Sequence, residues 1–306
     1  MSIPPGFLQP GGFFMSSTID LDPFQRIKGD PMTRLGLGTY AYAWAIGVPG
    51  YPVTEPMDGF AFLHRAADLN LPLVQIADNL PLDALSTATL QALVNEAQRL
   101  GLEIEVGTRG IAPDHLRRYL RIAQMAGSPI LRLVIDTSTH HPHVDEVIAT
   151  LRAVAPEFEA ADVTLAIENH DRFTAATFVA ILDAVDSTHL GICLDTVNSF
   201  GALEGPDVVI ETLGPHVVNL HLKDFTIRRA DHNMGFVISG APAGQGLLDI
   251  PALLARLHGF GRSFNAILEL WPAPEADMAR TITKEADWVM ASVAYLRAVM
   301  DGLQSP

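Results

Sequence analysis

Eight short apolar segments alternate with eight amphipathic helical patterns, and this alternation limits the fold more than any other feature of the chain. The apolar segments are rich in Val, Ile and Leu and end at turn residues, which is typical of buried strands. They lie at residues 35–40, 73–78, 102–108, 130–136, 163–169, 190–196, 217–224 and 264–271. The helical patterns lie at residues 59–70, 87–100, 114–126, 143–160, 175–185, 206–213, 250–258 and 277–300. Such alternation predicts an α/β fold with parallel strands joined by helical crossovers.

A parallel sheet of this kind either closes into a (β/α)8 TIM barrel or stays open as a doubly wound sheet. The open form usually has a glycine-rich phosphate-binding turn after its first strand. Here the first predicted strand continues into the bulky stretch Tyr-Ala-Tyr-Ala-Trp at residues 40–44. We therefore expect a single (β/α)8 barrel domain over residues 32–306. An N-terminal extension over residues 1–31, rich in Pro and Gly, lacks the basic and apolar segments of a signal peptide.

Charge and cysteine content restrict the partners. The formal net charge is −15 and there is no basic stripe, which disfavours a nucleic-acid partner because phosphates bind clustered Lys and Arg. No apolar run reaches the roughly 18 residues that a membrane span needs. The single cysteine excludes a disulfide framework within the chain and fits a reducing compartment. We expect a cytoplasmic protein with a small-molecule partner, and the sequence leaves a homo-oligomer open.

Four polar residues end consecutive predicted strands, from the fifth to the eighth. Glu168, Asp195 and Glu269 each follow an apolar triplet, and His221 ends the stretch Val-Asn-Leu-His. One such carboxylate alone is more often a helix cap or a surface ion pair, but four on neighbouring strands about 4.8 Å apart should converge. Three ionised carboxylates would repel each other there unless a cation lay among them. This pattern predicts one divalent metal ion, Mn²⁺ first, with Mg²⁺ or Co²⁺ as alternatives.

Several further side chains are candidates for substrate contacts. Lys223 shares strand parity with His221 and should point inward, although an ion pair with Asp224 at the rim is the alternative. Arg109 and Arg228 are the other cations that could anchor an anionic group, and a surface role is the alternative for Arg109. His170, with inward parity after Glu168, could protonate a substrate carbon or support the metal site.

The remaining candidates have structural alternatives of equal weight. Four aromatic residues could wall the pocket or simply pack in the core: Tyr40, Trp44, Phe225 and Trp271. Arg132 lies in the middle of a predicted strand and is interpreted as a buried partner of Glu103 or Glu105. Cys193 lies deeper than Asp195 on the same strand and is interpreted as a core residue.

At these residues the chain resembles the sugar phosphate isomerase/epimerase superfamily, the xylose-isomerase-like TIM barrels, from about residue 32 to 303. The resemblance lies in Ala-Ile-Glu-Asn-His at 166–170, Cys-Leu-Asp-Thr at 193–196, Asn-Leu-His-Leu-Lys-Asp at 219–224 and Ile-Leu-Glu at 267–269. A looser likeness is the Gly-Gln-Gly turn at 244–246. The resemblance implies that Glu168, Asp195, His221 and Glu269 bind the metal. It also implies that, in a ketose 3-epimerase, the two glutamates would exchange the substrate proton.

Two positions separate this chain from the ketose 3-epimerases of that superfamily. Those enzymes have a substrate-binding His three residues after the Asp ligand, where this chain has Asn198. They have an Arg six residues after the metal His, where this chain has Ile227, with Arg228 beside it. The chain is more similar to the 3-oxo-isoapionate decarboxylases of the superfamily, at residues 44–50, 106–110 and 168–173.

The resemblance therefore implies decarboxylation of an oxo sugar acid through a metal-stabilised enediolate, with Glu168, Glu269, His170 and Lys223 as catalytic candidates. Candidates for substrate binding are Arg109, Asn198, Trp44, Trp271 and Arg228. Sugar isomerisation or ketose 3-epimerisation is the alternative reaction. An abasic-site endonuclease and a non-catalytic sugar-binding barrel are remoter alternatives, which the negative charge and the intact ligand quartet respectively disfavour.

Overall fold

Strands rich in Val, Ile and Leu are buried on both faces when helices cover a parallel sheet, and most strands of this chain are of that kind. The computed structural model describes residues 33–304. Its strands are β1 (Leu35–Gly38), β2 (Leu73–Ile76), β3 (Glu103–Arg109), β4 (Ile130–Val134), β5 (Thr164–Glu168), β6 (Leu190–Asp195), β7 (Val217–Leu222), β8 (Asp224–Arg229), β9 (Phe236–Ala241) and β10 (Asn265–Leu268). The predicted segments are thus confirmed as strands, with ends that differ by a few residues.

Eight of these strands close into a barrel in the order β1-β10-β7-β6-β5-β4-β3-β2, and every neighbouring pair is parallel. The predicted (β/α)8 barrel is therefore confirmed. The predicted extension over residues 1–31 lies outside the described residues.

Helices surround the barrel. They are α1 (Ala43–Ile46), α2 (Gly59–Asp68), α3 (Thr87–Arg99), α4 (Pro113–Ala126), α5 (Val144–Ala161), α6 (Ala175–Val185), α7 (Pro206–Leu213), α8 (Ile250–Gly259) and α9 (Met278–Gln304). Four of those described, α2, α3, α6 and α8, begin at a side chain that accepts a hydrogen bond from the first turn. Ser86 caps α3 by accepting a hydrogen bond from the backbone N–H of Thr89 at 3.1 Å. Gly127 ends α4 with a φ of +67°, a left-handed conformation that favours glycine. Neither α9 nor any other helix in residues 33–304 is long and apolar enough to span a membrane.

An antiparallel hairpin, β8–β9, leaves the barrel between β7 and β10 and was not predicted. The seventh strand was expected to continue to Asp224, but β7 ends at Leu222 and Asp224 begins the hairpin. The carboxylate of Asp224 explains the change, because it accepts hydrogen bonds from the backbone N–H groups of Gly244 and Gly246, each at 2.9 Å. A side chain at position 246 would meet Asp224 Oδ1 at 2.1 Å, so this turn requires glycine there.

Candidate metal centre and active site

The four predicted metal ligands converge at the carboxyl end of the barrel. Glu168 and Asp195 are the last residues of β5 and β6, His221 pairs with Asp195 across the sheet, and Glu269 directly follows β10. All four are buried. Nδ1 of His221 lies 3.4 Å from Glu168 Oε2, 3.8 Å from Asp195 Oδ2 and 3.4 Å from Glu269 Oε2. The structure thus brings the whole quartet together around one ring nitrogen.

The quartet has unsatisfied lone pairs that fit a cation. Within residues 33–304, Glu168 Oε2, Asp195 Oδ2, His221 Nδ1 and both carboxylate oxygens of Glu269 are buried without a hydrogen bond of ordinary geometry. Among the described residues, three of these oxygens have a neighbouring cation, Arg132 at Glu168 Oε2 and Lys223 at Asp195 Oδ2 and Glu269 Oε2. Glu269 Oε1 and His221 Nδ1 have none, and buried polar atoms without a partner are costly, which favours a bound cation. Nε2 of His221 lies 2.7 Å from Gln75 Oε1, an acceptor, so Nδ1 is the nitrogen left for a metal. Carboxylates with one imidazole suit a divalent cation such as Mn²⁺, Mg²⁺ or Co²⁺.

Lys223 contributes the nearest ammonium to this cluster. Its Nζ lies 2.8 Å from Asp195 Oδ2 and 2.9 Å from Glu269 Oε2, and 12 % of the side chain is exposed. Burial alone would lower the pKa of Lys223, but these two carboxylates raise it well above its ordinary value. The inward orientation is confirmed, and the alternative ion pair with Asp224 is wrong because Asp224 binds the backbone of the glycine-rich turn.

A second buried cation reaches the quartet from β4. Arg132 Nη1 lies 2.7 Å from Asp78 Oδ1, and Nε contacts Glu168 Oε2. The prediction that Arg132 pairs with Glu103 or Glu105 is therefore wrong. The register explains this, because Arg132 pairs with Gly107, two residues beyond Glu105 and nearer the barrel mouth.

Asp78 links Arg132 to the rim of the barrel. Its Oδ2 also accepts hydrogen bonds from Arg109 Nε at 2.9 Å and from the Tyr40 hydroxyl at 3.1 Å. Burial would raise the pKa of Asp78, but the charges of Arg132 and Arg109 hold it well below its usual range. Burial raises the pKa of Tyr40 to about 12, so its hydroxyl stays protonated at neutral pH. A continuous set of charged groups therefore joins the rim to the quartet.

An open cavity of about 770 Å³ lies at this rim, lined by residues that follow or end β2, β3, β4 and β5. The predicted candidates Arg109 and His170 both line it. Nδ1 of His170 is in close contact with Asp171 Oδ1, and Arg172 Nε donates to Asp136 Oδ2 at 2.7 Å. Arg109 thus lies at a substrate-sized opening rather than on the outer surface of the barrel.

Asn198 occupies a position between two of the ligands. Its Nδ2 donates to Glu168 Oε1 at 2.7 Å, and its backbone N–H donates to Asp195 Oδ1 at 2.9 Å. Arg228 is different, because it lies on the exposed β8–β9 hairpin and pairs with Asp231 at 2.9 Å. The structure therefore brings Asn198 to the quartet and does not bring Arg228 there.

Three of the aromatic candidates divide into half-buried and core positions. Trp44, in α1, donates from Nε1 to the carbonyl of Pro272 at 2.8 Å, and Trp271 donates to the carbonyl of Asp224 at 3.2 Å. Both are half-buried beside the barrel mouth. Phe225 is buried against Phe200, with ring centroids 4.9 Å apart, and is a core residue.

Glu285 on α9 fixes the segment that carries Trp44. This buried carboxylate accepts hydrogen bonds from the backbone N–H groups of Trp44 at 2.8 Å and Ala45 at 3.0 Å. It therefore satisfies the free donors at the start of α1, a short helix with no capping side chain of its own.

Three polar core residues complete the surroundings of the quartet. Gln75 and Glu105 lie buried in β2 and β3, and sequence reasoning did not assign them a role at the site. The sequence signal that could have indicated such a role is a polar side chain in the middle of an apolar strand. Cys193 is buried as predicted, and burial raises the pKa of its thiol to about 11. Its Sγ donates to Asn219 Oδ1 at 3.4 Å. It also lies close enough to Glu168 and His221 for the three to share a metal ion.

Known proteins share both the sequence and the architecture of this chain. The family model for xylose isomerase-like TIM barrels matches residues 63–298. A 3-oxo-isoapionate decarboxylase from Pectobacterium atrosepticum is 39 % identical over 262 residues, which are 86 % of this chain and 94 % of that protein.

Two solved structures show the shared fold. D-psicose 3-epimerase from Clostridium cellulolyticum H10, crystallised with D-tagatose, has a TM-score of 0.67 at 16 % identity, over 88 % of this chain and 99 % of that one. A xylose isomerase-like TIM barrel protein from Mycobacterium smegmatis, in complex with magnesium, has a TM-score of 0.60 at 13 % identity. That match spans 86 % of this chain and 97 % of the other.

Proposed function

Because the chain belongs to the xylose isomerase-like TIM barrel family, we propose that it is a divalent-metal-dependent decarboxylase of an oxo sugar acid similar to 3-oxo-isoapionate. It is an enzyme that acts on sugar-like substrates. The observation that carries the proposed chemistry is the convergence of three buried carboxylates on Nδ1 of His221, at 3.4–3.8 Å. The 39 % identity to a 3-oxo-isoapionate decarboxylase supports the reaction class.

Glu168, Asp195, His221 through Nδ1, and Glu269 would hold the metal, which we propose to be Mn²⁺, with Mg²⁺ or Co²⁺ as alternatives. A bound divalent ion supplies Lewis-acid stabilisation of negative charge on a substrate oxygen. The magnesium bound by the Mycobacterium smegmatis protein supports a divalent ion in this fold.

The surrounding residues would serve the loss of CO₂. Arg109 lines the open cavity and donates to Asp78 Oδ2 and to the carbonyl of Asp136. The remaining N–H groups of its guanidinium would bind the substrate carboxylate. The bond between the carboxyl carbon and the α-carbon breaks, and its electron pair moves onto the α-carbon and the neighbouring oxygen. The Lys223 ammonium, 2.8 Å from Asp195 Oδ2, is placed to stabilise that developing charge. His170 at the rim would then return a proton to carbon.

Isomerisation or 3-epimerisation is the second candidate, supported by two glutamates in one cluster. Those reactions need a free carboxylate to remove a proton from carbon. Both oxygens of Glu168 already have partners, since Arg132 contacts Oε2 and Asn198 donates to Oε1. Glu168 is therefore a poor carbon base, which leaves Glu269 as the base that an isomerase or epimerase would use. Decarboxylation requires no carbon base, and the 39 % identity to a decarboxylase favours it.

The two reactions separate in one experiment. The enzyme is incubated in D₂O with Mn²⁺ and 3-oxo-isoapionate, and CO₂ and deuterium incorporation are followed together. Stoichiometric CO₂ with deuterium at the carbon that bore the carboxylate is the expected result. Absence of CO₂ from this and other 3-oxo sugar acids, with rapid deuterium exchange into ketoses, would replace the proposal with the isomerase alternative.

A further inference from the structure

A line of hydrogen bonds starts at the amino end of the barrel with Arg34. The Arg34 guanidinium donates from Nε to Asn265 Oδ1 at 3.2 Å. A guanidinium has only donors, so Asn265 must turn its oxygen toward Arg34 and its amide nitrogen the other way. That nitrogen donates to Glu105 Oε1 at 2.6 Å. The orientation of the first amide is therefore fixed by chemistry at both of its ends.

Glu105 is the centre of this line and lies inside the barrel, 3 % exposed. Besides Asn265, it accepts hydrogen bonds at Oε2 from Asn219 Nδ2 at 2.9 Å and Gln75 Nε2 at 3.1 Å. Burial raises the pKa of Glu105, whereas these three amide donors favour its carboxylate form. A carboxylate has only acceptors, so Gln75 must direct its nitrogen toward Glu105 and its oxygen away from it.

The side-chain oxygen of Gln75 contacts His221, the histidine of the proposed metal quartet. Oε1 of Gln75 lies 2.7 Å from His221 Nε2 and can only accept a hydrogen bond, so Nε2 carries a proton. The other ring nitrogen, Nδ1, then faces Glu168 Oε2 and Glu269 Oε2 at 3.4 Å each. The polarity set by Glu105 thus decides which nitrogen of His221 can bind a metal.

We propose that Glu105 is a positioning residue for the metal centre, which acts through Gln75 to keep the proton of His221 on Nε2 and to leave Nδ1 for the metal. The inference rests on the proposed metal quartet and not on the reaction that follows. Groups that orient a metal-bound imidazole through its second nitrogen raise metal affinity, and their loss typically reduces it about 10–100-fold.

The test is the Mn²⁺ affinity of the full-length, substrate-free protein, measured by calorimetric titration. Glu105→Gln preserves the size of the side chain but places an NH₂ group among amide donors. Gln75 can then rotate its amide and present NH₂ to His221 Nε2, which favours a proton on Nδ1. We expect Mn²⁺ affinity to fall about 10–100-fold. Glu211→Gln is the control, because Glu211 lies on α7 and pairs with Arg256, outside this line of hydrogen bonds, and its Mn²⁺ affinity should equal that of the wild type.

A double exchange, Gln75→Glu with Glu105→Gln, tests whether a hydrogen-bond acceptor opposite Nε2 of His221 is what maintains the Mn²⁺ affinity. It keeps the net charge and the side-chain sizes, and it places a carboxylate directly against the Nε2–H of His221. We expect Mn²⁺ affinity to recover toward the wild-type value, and ¹⁵N-histidine NMR of the Mg²⁺-loaded protein to find the His221 proton on Nε2. This variant decides the question even where Glu105→Gln alone does not fold.

Two results would overturn the inference: wild-type Mn²⁺ affinity in folded Glu105→Gln, or an exchange variant that binds Mn²⁺ poorly. Neither measurement uses a substrate. A wild-type protein that binds Mn²⁺ but releases no CO₂ would refute the proposed reaction and leave the role of Glu105 intact. A wild-type protein that binds no Mn²⁺ would refute both.

Discussion

The guanidinium of Arg132 contacts the carboxylate of Glu168, so a buried cation from β4 lies directly against a proposed metal ligand at the end of β5. The same side chain pairs with Asp78 and is only 2 % exposed. Arg132→Met would leave two buried carboxylates without this partner, and removing one member of a buried ion pair typically costs about 3–5 kcal/mol. We expect a loss of that size in the free energy of unfolding, measured by urea denaturation of the metal-free protein. Arg118→Met, which breaks an exposed pair with Asp83, should cost about 0–1 kcal/mol, and equal losses in both variants would contradict this view.

Glu269 has one buried oxygen, Oε1, without a hydrogen bond, and its Oε2 faces Lys223 at 2.9 Å, so it should be the most direct probe of metal binding. Glu269→Gln keeps the shape and removes one negative charge. We expect Mn²⁺ affinity and turnover to fall more than about 100-fold, the upper range for residues that only support a ligand. Glu275→Gln, at an exposed ion pair with Lys284, is the control and should change neither. Full activity of the wild-type enzyme after exhaustive chelation would refute the proposed metal dependence.

Lys223 should affect the reaction without supplying a metal ligand. Lys223→Met keeps most of the stem but deletes the ammonium near Asp195 and Glu269. We expect turnover to fall by about 10²–10³-fold, as for loss of one stabilising donor, while bound Mn²⁺ measured by atomic absorption is not reduced. The metal-free variant should also melt at a lower temperature, because two carboxylates lose their cation. Lys284→Met is the control, and unchanged kinetics in Lys223→Met would exclude the lysine from the reaction.

Glu285 should give the stability a characteristic pH dependence. Burial raises its pKa from the ordinary 4.5 to about 7, although the backbone N–H groups of Trp44 and Ala45 oppose this. Between these two pH values the native state holds more protons than the unfolded chain. The free energy of unfolding should therefore fall as pH rises from about 4.5 to about 7, by on the order of 3 kcal/mol, and then level off. Glu285→Gln should lack this fall, and parallel wild-type and variant curves across the range would show that the carboxyl does not titrate there.

The fold could be predicted from the sequence because buried parallel strands and their covering helices have different apolar periods. The strand ends were less certain, since a polar residue past a strand looks the same whether the strand continues or turns. Asp224 is the clearest example, because its contacts with the turn at Gly244 and Gly246 join positions some 20 residues apart and leave no local pattern. The β8–β9 hairpin was missed for this reason.

The convergence of the four candidate metal ligands could be predicted because each of them ends a mainly apolar segment, on consecutive strands. The partner of Arg132 could not be, since pairing depends on register, and the register places Arg132 opposite Gly107 rather than beside Glu105. Gln75 shows the same limit: a single polar residue in a strand signals a buried contact but does not identify His221, 146 positions away, as its partner.

The mouth of the barrel is divided between two stretches of the chain. The quartet comes from β5, β6, β7 and the end of β10, whereas most of the cavity wall comes from segments at the ends of β2, β3 and β4. The cavity wall and the quartet can therefore change independently during evolution. With the quartet and the cavity in their proposed roles, mutations in the earlier loops would change which molecule is admitted, while the later strands would retain the chemistry. Divergence after gene duplication then requires few coordinated steps, because a new substrate does not demand a new catalytic centre.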